Sequence, residues 1–258
     1  MDGAKAWRVT GTLAVVLVML VAGVQTWSLV VQQQTTSTKP YDVVVHRVRL
    51  ETGSASVRLR AGRERHVVVR QRLDWTVRKP VVSTTFDDDG VMTVGMHCRQ
   101  VQPFADLGCG AEIELEVPAA TEVTGSVGSG SVDVEGLSGS VRMELTSGQL
   151  TLTDTSGEVW AQATSGQVQG TNLSAPRVTA RTTSGSVELS FARPPHAVDV
   201  RATSGSVNLT LPKGSRYAFS SSVGSGSGGI DPVLADSTSP DTVHAEVDSG
   251  SIMIGPSS

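Results

Sequence analysis

A short phrase, Ser-Gly-x-Val or a near relative, recurs through the second half of the chain at close to nine-residue spacing. Its clearest copies are Ser138-Gly139-Ser140-Val141, Ser147-Gly148-Gln149-Leu150, Ser156-Gly157-Glu158-Val159 and Ser165-Gly166-Gln167-Val168. It returns at Ser184-Gly185-Ser186-Val187, Ser204-Gly205-Ser206-Val207 and Ser249-Gly250-Ser251-Ile252. A fixed period this short restricts the chain to a quasi-one-dimensional stack of strands, in which each unit buries its apolar face only against its neighbours. It also tells against a conventional enzyme, because the repeated residues are committed to scaffold.

The apolar pairs around the phrase define the unit. Val132/Val134, Val141/Met143, Leu150/Leu152, Val159/Ala161, Val178/Ala180, Val187/Leu189, Val198/Val200 and Val207/Leu209 alternate with polar residues, and Val168 stands in the same series. Period-two alternation predicts strands with one buried face. Two strand-turn units make one coil of roughly 18–20 residues. Gly166, Gly185 and Gly205 agree, being 19 and 20 residues apart. Gly is expected at the corners, where the chain needs positive φ, and the Ser or Thr before it can satisfy turn backbone groups. Aromatic residues make up only 4% of the chain, so Val, Leu and Ala must fill a narrow, layered core. An antiparallel sandwich would show similar alternation but does not require near-constant spacing over so many strands. The expected fold class is therefore all-β, a β-solenoid ectodomain preceded by one N-terminal transmembrane helix.

The N-terminus supplies that helix. No charged residue lies between Arg8 and Lys39, and residues 9–31 are predominantly apolar. As a helix this segment reaches about 35 Å, against a hydrocarbon core of roughly 30 Å. Lys5 and Arg8 precede it, which by the positive-inside rule puts residues 1–8 in the cytoplasm and the remainder outside. Trp7 and Trp27 lie near its two ends. A cleaved signal peptide is the alternative, but the apolar run is long for one and Val24-Gln25-Thr26-Trp27 offers no clean cleavage site. The expected localisation is the cell membrane, single-pass, with the C-terminal part extracytoplasmic.

Residues 32–40 read as a polar, flexible linker rich in Gln and Thr. Residues 41–118 read as an irregular β segment, and residues 119–258 as the regular β-repeat. Within the irregular part, Asp87-Asp88-Asp89-Gly90 separates two β-rich runs and signals a hairpin turn. Gly224–Gly229, followed by Asp231–Pro240, breaks the repeat and reads as a loop before a last coil formed by Val243–Val247 and Ile252–Ile254. Cys98 and Cys109 suit an extracytoplasmic disulfide, worth ~3 kcal/mol over a loop of this length. A metal site using His97 with both cysteines is the weaker reading, since structural zinc takes four ligands.

An apolar anchor, an irregular β segment ending in Ile113-Glu-Leu-Glu-Val-Pro118, and a run of Ser-Gly-x-Val units occur in that order. The arrangement resembles the bacterial putative-adhesin family of β-strand-repeat proteins, a domain of unknown function. The resemblance covers roughly residues 41–254 and implies a cell-envelope protein. It supplies no catalytic residue, and the segment between Cys98 and Cys109 is unusual for it.

No catalytic constellation stands out. The five His residues are scattered without metal-ligand spacing, and no Gly-x-Ser-x-Gly elbow is present. Asp87–Asp89 lacks the remaining ligands of a calcium loop. Gly224–Gly229 lacks the Lys and the helix of a phosphate loop. No cofactor is expected. The net charge of -4 argues against a nucleic-acid partner. Two features remain. Arg47, Arg49, Arg58, Arg60, Arg70 and Arg72, with Arg63 and Arg65 nearby, predict an arginine-rich outer face able to meet anionic lipid or a cell-wall polymer. A solvated face partly neutralised by Glu51, Glu64 and Asp74 is the competing reading. Trp160 follows inward Val159 and should point outward, where it could contact a ligand or lie under a neighbouring loop.

The function expected is a structural or adhesin-like interaction role in the bacterial envelope, with membrane and envelope partners and no enzymatic activity. The alternative is a sensor or regulatory subunit of an envelope stress system. A polysaccharide-active β-helix enzyme would need clustered carboxylates, whereas Asp133, Glu144, Glu158, Glu188 and Asp199 are dispersed. Outward Thr residues, including Thr151, Thr153 and Thr179, form no single file, which tells against a lattice-binding surface.

Overall fold

The computed structural model describes residues 33–75, 79–98 and 109–257. The segments 1–8 and 9–31 lie outside these residues. No helix among the described residues is long and apolar enough to cross a membrane. The first seven strands are β1 (Gln33–Tyr41), β2 (Arg47–Thr52), β3 (Ser56–Gly62), β4 (Val67–Trp75), β5 (Val81–Phe86), β6 (Val91–His97) and β7 (Cys109–Pro118). Longer strands follow: β8 (Glu122–Glu135), β9 (Val141–Thr153), β10 (Val159–Leu173), β11 (Arg177–Phe191), β12 (Ala197–Leu211), β13 (Ala218–Ile230) and β14 (Thr242–Pro256). All fourteen belong to one sheet, whose main path runs β1-β4-β7-β3-β8-β9-β10-β11-β12-β14-β13. The fold is all-β and solenoid-like.

Each long strand is one coil with two arms. In β12 the buried positions are Val198, Val200 and Ala202, then Val207, Leu209 and Leu211. Strict alternation would bury Ser204, yet it is exposed. The phase slips at Ser204-Gly205, so the strand bends there and both arms face one continuous core. Coils stack in parallel register, so like residues lie on like. One arm carries the column Val48, Val123, Val141, Val159, Val178, Val198, Val243. The other carries Val57, Val132, Leu150, Val168, Val187, Val207, Ile252. Every member of both columns is at most 3% exposed. Full burial of such a side chain contributes about 1.5–3 kcal/mol, so stability accumulates coil by coil.

The spacing of the phrase follows from having two corners per coil. Gly130, Gly148, Gly166, Gly185, Gly205, Gly250 and Gly226 stack at one of them. Gly139 and Gly157 stack at the other, where Ser156 N–H donates to the Leu137 carbonyl. Early coils carry Ser-Gly at both corners and so show the nine-residue beat. Later coils use Ala175-Pro176 and Pro195-His196 at the second corner, so only the 19- or 20-residue beat survives.

The two ends of the stack differ. At the N-terminal end, β2 pairs with the first arm of β8 and β3 with the second. The arms then separate into two wings, one running β2-β6-β5 and the other β3-β7-β4-β1. The β5–β6 hairpin turns at Asp87–Gly90, where Gly90 has φ +71 and its N–H donates to the Asp87 carbonyl. Cys98, just past β6, is disulfide-bonded to Cys109 at the start of β7, which ties one wing to the other.

Two expectations for connecting segments are corrected. Residues 33–40 are not a free linker: they form most of β1, antiparallel to β4 from Gln33↔Trp75 to Tyr41↔Val67. Extended Gln and Thr backbone satisfies the edge of β4 without burying side chains, as its mostly exposed pattern shows. Gly224–Gly229 is not a loop but lies within β13. Because its small residues bury so little, the apolar C-terminal strand β14 takes the inner place between β12 and β13.

Candidate functional site

Three surfaces carry the side chains singled out by the sequence. The first is the arginine face, on the wing formed by β4, β7, β3 and β8. In-register pairing sets Arg58 opposite Glu114 and Asp133, and Arg60 opposite Glu116 and Glu135. The side chains lean diagonally. Arg60 Nε lies 2.9 Å from Glu135 Oε2, and its Nη1 lies 3.5 Å from Glu114. Arg70 reaches Glu114 at 3.7 Å and Glu116 at 3.6 Å. Arg58 stands 4.0 Å from Glu112 and 3.8 Å from Asp133. On the other wing, Arg47 donates from Nε and Nη2 to one oxygen of Glu122, at 2.9 and 2.6 Å. Arg72 pairs across strands with Glu112, and Arg49 sits between Thr93 and Thr124. The face is thus a ladder of alternating sign. The carboxylates responsible are Glu112, Glu114 and Glu116 of β7 with Glu122, Asp133 and Glu135 of β8, rather than the nearer-in-sequence Glu51, Glu64 and Asp74. The alternation Glu112-x-Glu114-x-Glu116 was visible, but its pairing with the arginines depends on strand order.

The second surface surrounds Trp160. The residue is half-buried and lies between Arg142 of β9 and Thr179 of β11. The Arg142 guanidinium sits 4.2 Å from the ring centroid, a cation–π contact that occupies one face of the indole. Arg142 is the residue sequence reasoning missed; its 18-residue offset from Trp160 is one coil, and that offset was the available signal.

The third comprises open grooves. One of about 410 Å³ is lined by Gln162, Arg181, Thr183, Arg201, Thr203 and Glu246 among others. Arg201 is already engaged there by Asp199 at 3.3 Å and Glu246 at 3.6 Å. Of the outward carboxylates, Asp133 and Glu158 likewise face arginines, Arg58 and Arg177. Among the described residues no group of three or more His, Cys, Asp or Glu side chains is placed to hold a metal ion.

Bent parallel coils stacked in like-on-like register define a repeat scaffold. The chain belongs to the Toastrack DUF4097 family, whose model matches residues 45–255. Solved structures similar to it include a putative cell adhesion protein from Clostridium sporogenes, 12% identical with a TM-score of 0.42, covering 87% of this chain and 100% of that one. A putative adhesin from Bacteroides fragilis is 12% identical with a TM-score of 0.46, covering 86% of this chain and 97% of the other. A protein from Parabacteroides distasonis named a putative lipid binding protein is 12% identical with a TM-score of 0.37, covering 86% and 95%. No curated protein matches the chain.

Proposed function

We propose that the chain is a membrane-anchored extracytoplasmic scaffold with a structural or adhesin-like interaction role in the cell envelope, and that it is not an enzyme. Residues 9–31 serve as the anchor and residues 1–8 remain cytoplasmic. The observation that carries this reading is the use of the repeat: its glycines are taken up by corners and its Val and Leu by core, while the outward carboxylates are dispersed and several face arginines. The Cys98–Cys109 disulfide supports an oxidising compartment. The ladder of Arg47, Arg58, Arg60 and Arg70 against carboxylates favours a mixed-charge protein partner in the envelope over an anionic lipid or wall polymer. Exposed ion pairs of this kind contribute little to stability and set register and partner choice instead.

The test uses the full chain in a bacterial membrane. The reading predicts that it resists alkaline extraction, keeps its N-terminus intact by mass, and cleaves no envelope polysaccharide in a purified screen. Release as a shortened soluble chain would remove the anchor, and polysaccharide turnover would remove the scaffold role. Replacing Arg58, Arg60, Arg70 and Arg72 with Gln should leave wall-polymer binding unchanged; a large loss would restore the anionic-polymer partner.

A further inference from the structure

We infer that the free edge of β13 pairs with β13 of a second copy, across a two-fold axis at the Ser225-Gly226 corner. Among the described residues β13 is hydrogen-bonded to β14 alone, which leaves its other edge open. All 13 of its residues are exposed or half-buried. Long sheet edges are ordinarily protected by charge, proline or a covering segment. Residues 218–230 contain no charged residue and no proline, the nearest charges being Arg216 and Asp231. The following loop reaches only the start of the strand: Ala235 bridges Tyr217, Ser239 Oγ donates to the Arg216 carbonyl and the Ala218 N–H donates to the Asp241 carbonyl, while residues 220–222 and 224–229 stay exposed. The opposite end of the stack is guarded differently: β1 carries Lys39 and Pro40, and β5 is only 6 residues long.

The shape of the edge selects the partner. β13 keeps the bent outline of a coil, with Ser225 and Gly226 in register with Ser249 and Gly250. A strand that pairs along both of its arms must bend at the same place. Among the described residues the N-terminal end supplies none, because there the sheet has split into wings ending in β1 and β5. The free edge with the matching outline is β13 itself, so the contact is isologous: one arm of each copy meets the other arm of its partner, antiparallel, about the shared corner. Phe219, Val223 and Ile230, half-buried at the end of the core, then gain a covering layer. Like charges do not meet, because the strand has none. Pairing is also closed, since β1 and β5 offer no equivalent edge, and the product is a dimer rather than a fibre.

A geometric consequence rests on the anchor proposed above, whereas the pairing itself does not. β1 and β13 are the two termini of the eleven-strand path. Ten inter-strand steps of about 4.8 Å separate them by at most about 48 Å, so the two N-terminal strands of a dimer lie up to about 100 Å apart at opposite ends. Such a dimer joins two facing membranes.

The full chain in detergent micelles tests the pairing independently of topology. Its native cysteines are bonded to each other, so a single introduced cysteine reports cleanly. Ser225→Cys, at the axis, is expected to form a covalent dimer on mild oxidation, severalfold above Ser165→Cys, which occupies the same column in an interior coil. Ser222→Lys with Gly229→Lys places like charges on facing arms and should convert the dimer to monomer in sedimentation, with an unchanged circular dichroism spectrum and a melting temperature that no longer rises with protein concentration. A monomer at every concentration, equal crosslinking at Ser165, or dimerisation unaffected by the lysine pair would overturn the inference while leaving the anchor reading intact.

Discussion

The residue that fixes the geometry of each coil is the corner glycine. A methyl group at Gly185 would overlap the carbonyl oxygen of Gly166 in the coil below, and Gly205 stands in the same relation to Gly185. Gly205 also has φ +147, where side-chain-bearing residues are rare. Gly185→Ala must therefore push two coils apart, and should cost about 3 kcal/mol or more in a urea unfolding series. Gly229→Ala has nothing within 4 Å of the added carbon and should stay within about 0.5 kcal/mol. Equal effects at the two sites would mean that the ladder does not set the spacing between coils. The role of Trp160 is also decided at this scale. With Arg142 over the ring, its fluorescence should be partly shielded from iodide in the wild type and more exposed in Arg142→Gln.

At the scale of elements, the repeat was legible because alternation and corner glycines recur at fixed offsets. The inward columns of β8–β12 and β14 follow directly from Val-x-Val and Val-x-Leu pairs, and the Asp87–Gly90 turn from its Asp-Gly pair. Where the signal was backbone pairing alone, it could not be read. Residues 33–40 form a strand without burying an apolar face, so no periodicity marks β1. The exchange of β13 and β14 depends on which strand buries more, and neighbouring positions in sequence do not encode that. The charge ladder was half legible: both sets of alternating charges were visible, but not that β7 lies between β3 and β4. Glu114 contacts both Arg60 and Arg70, yet these side chains are substantially exposed. Glu114→Gln should lower stability by no more than about 1 kcal/mol at low salt, and the difference should vanish near 1 M salt. A larger, salt-independent loss would mean that the carboxylate has a packing role. The corner before β13 should be sensitive to alkali. Burial raises the pKa of the Tyr217 hydroxyl above its ordinary 10.0, so the unfolded chain ionises first. Its contribution is retained below the ordinary value and lost as pH rises beyond it. Tyr217→Phe should abolish this component of alkaline unfolding, as followed by circular dichroism.

At the scale of the molecule, one end is a continuous bent sheet and the other is a pair of wings held by a single covalent tie. Cys98→Ser with Cys109→Ser removes the direct tie between β6 and β7, and should cost about 3 kcal/mol, with hydrogen exchange rising in β5–β7 before the coils. Uniform loss across the stack would show that the wings and coils unfold as one unit. The proposed topology puts this scaffold outside the cytoplasm on an N-terminal anchor. Ser165→Cys, exposed at a corner of β10, can be treated with a membrane-impermeant maleimide on intact protoplasts. Labelling before lysis, on a chain that keeps residues 1–31, is expected; labelling only after lysis would put the scaffold in the cytoplasm and overturn the anchor topology.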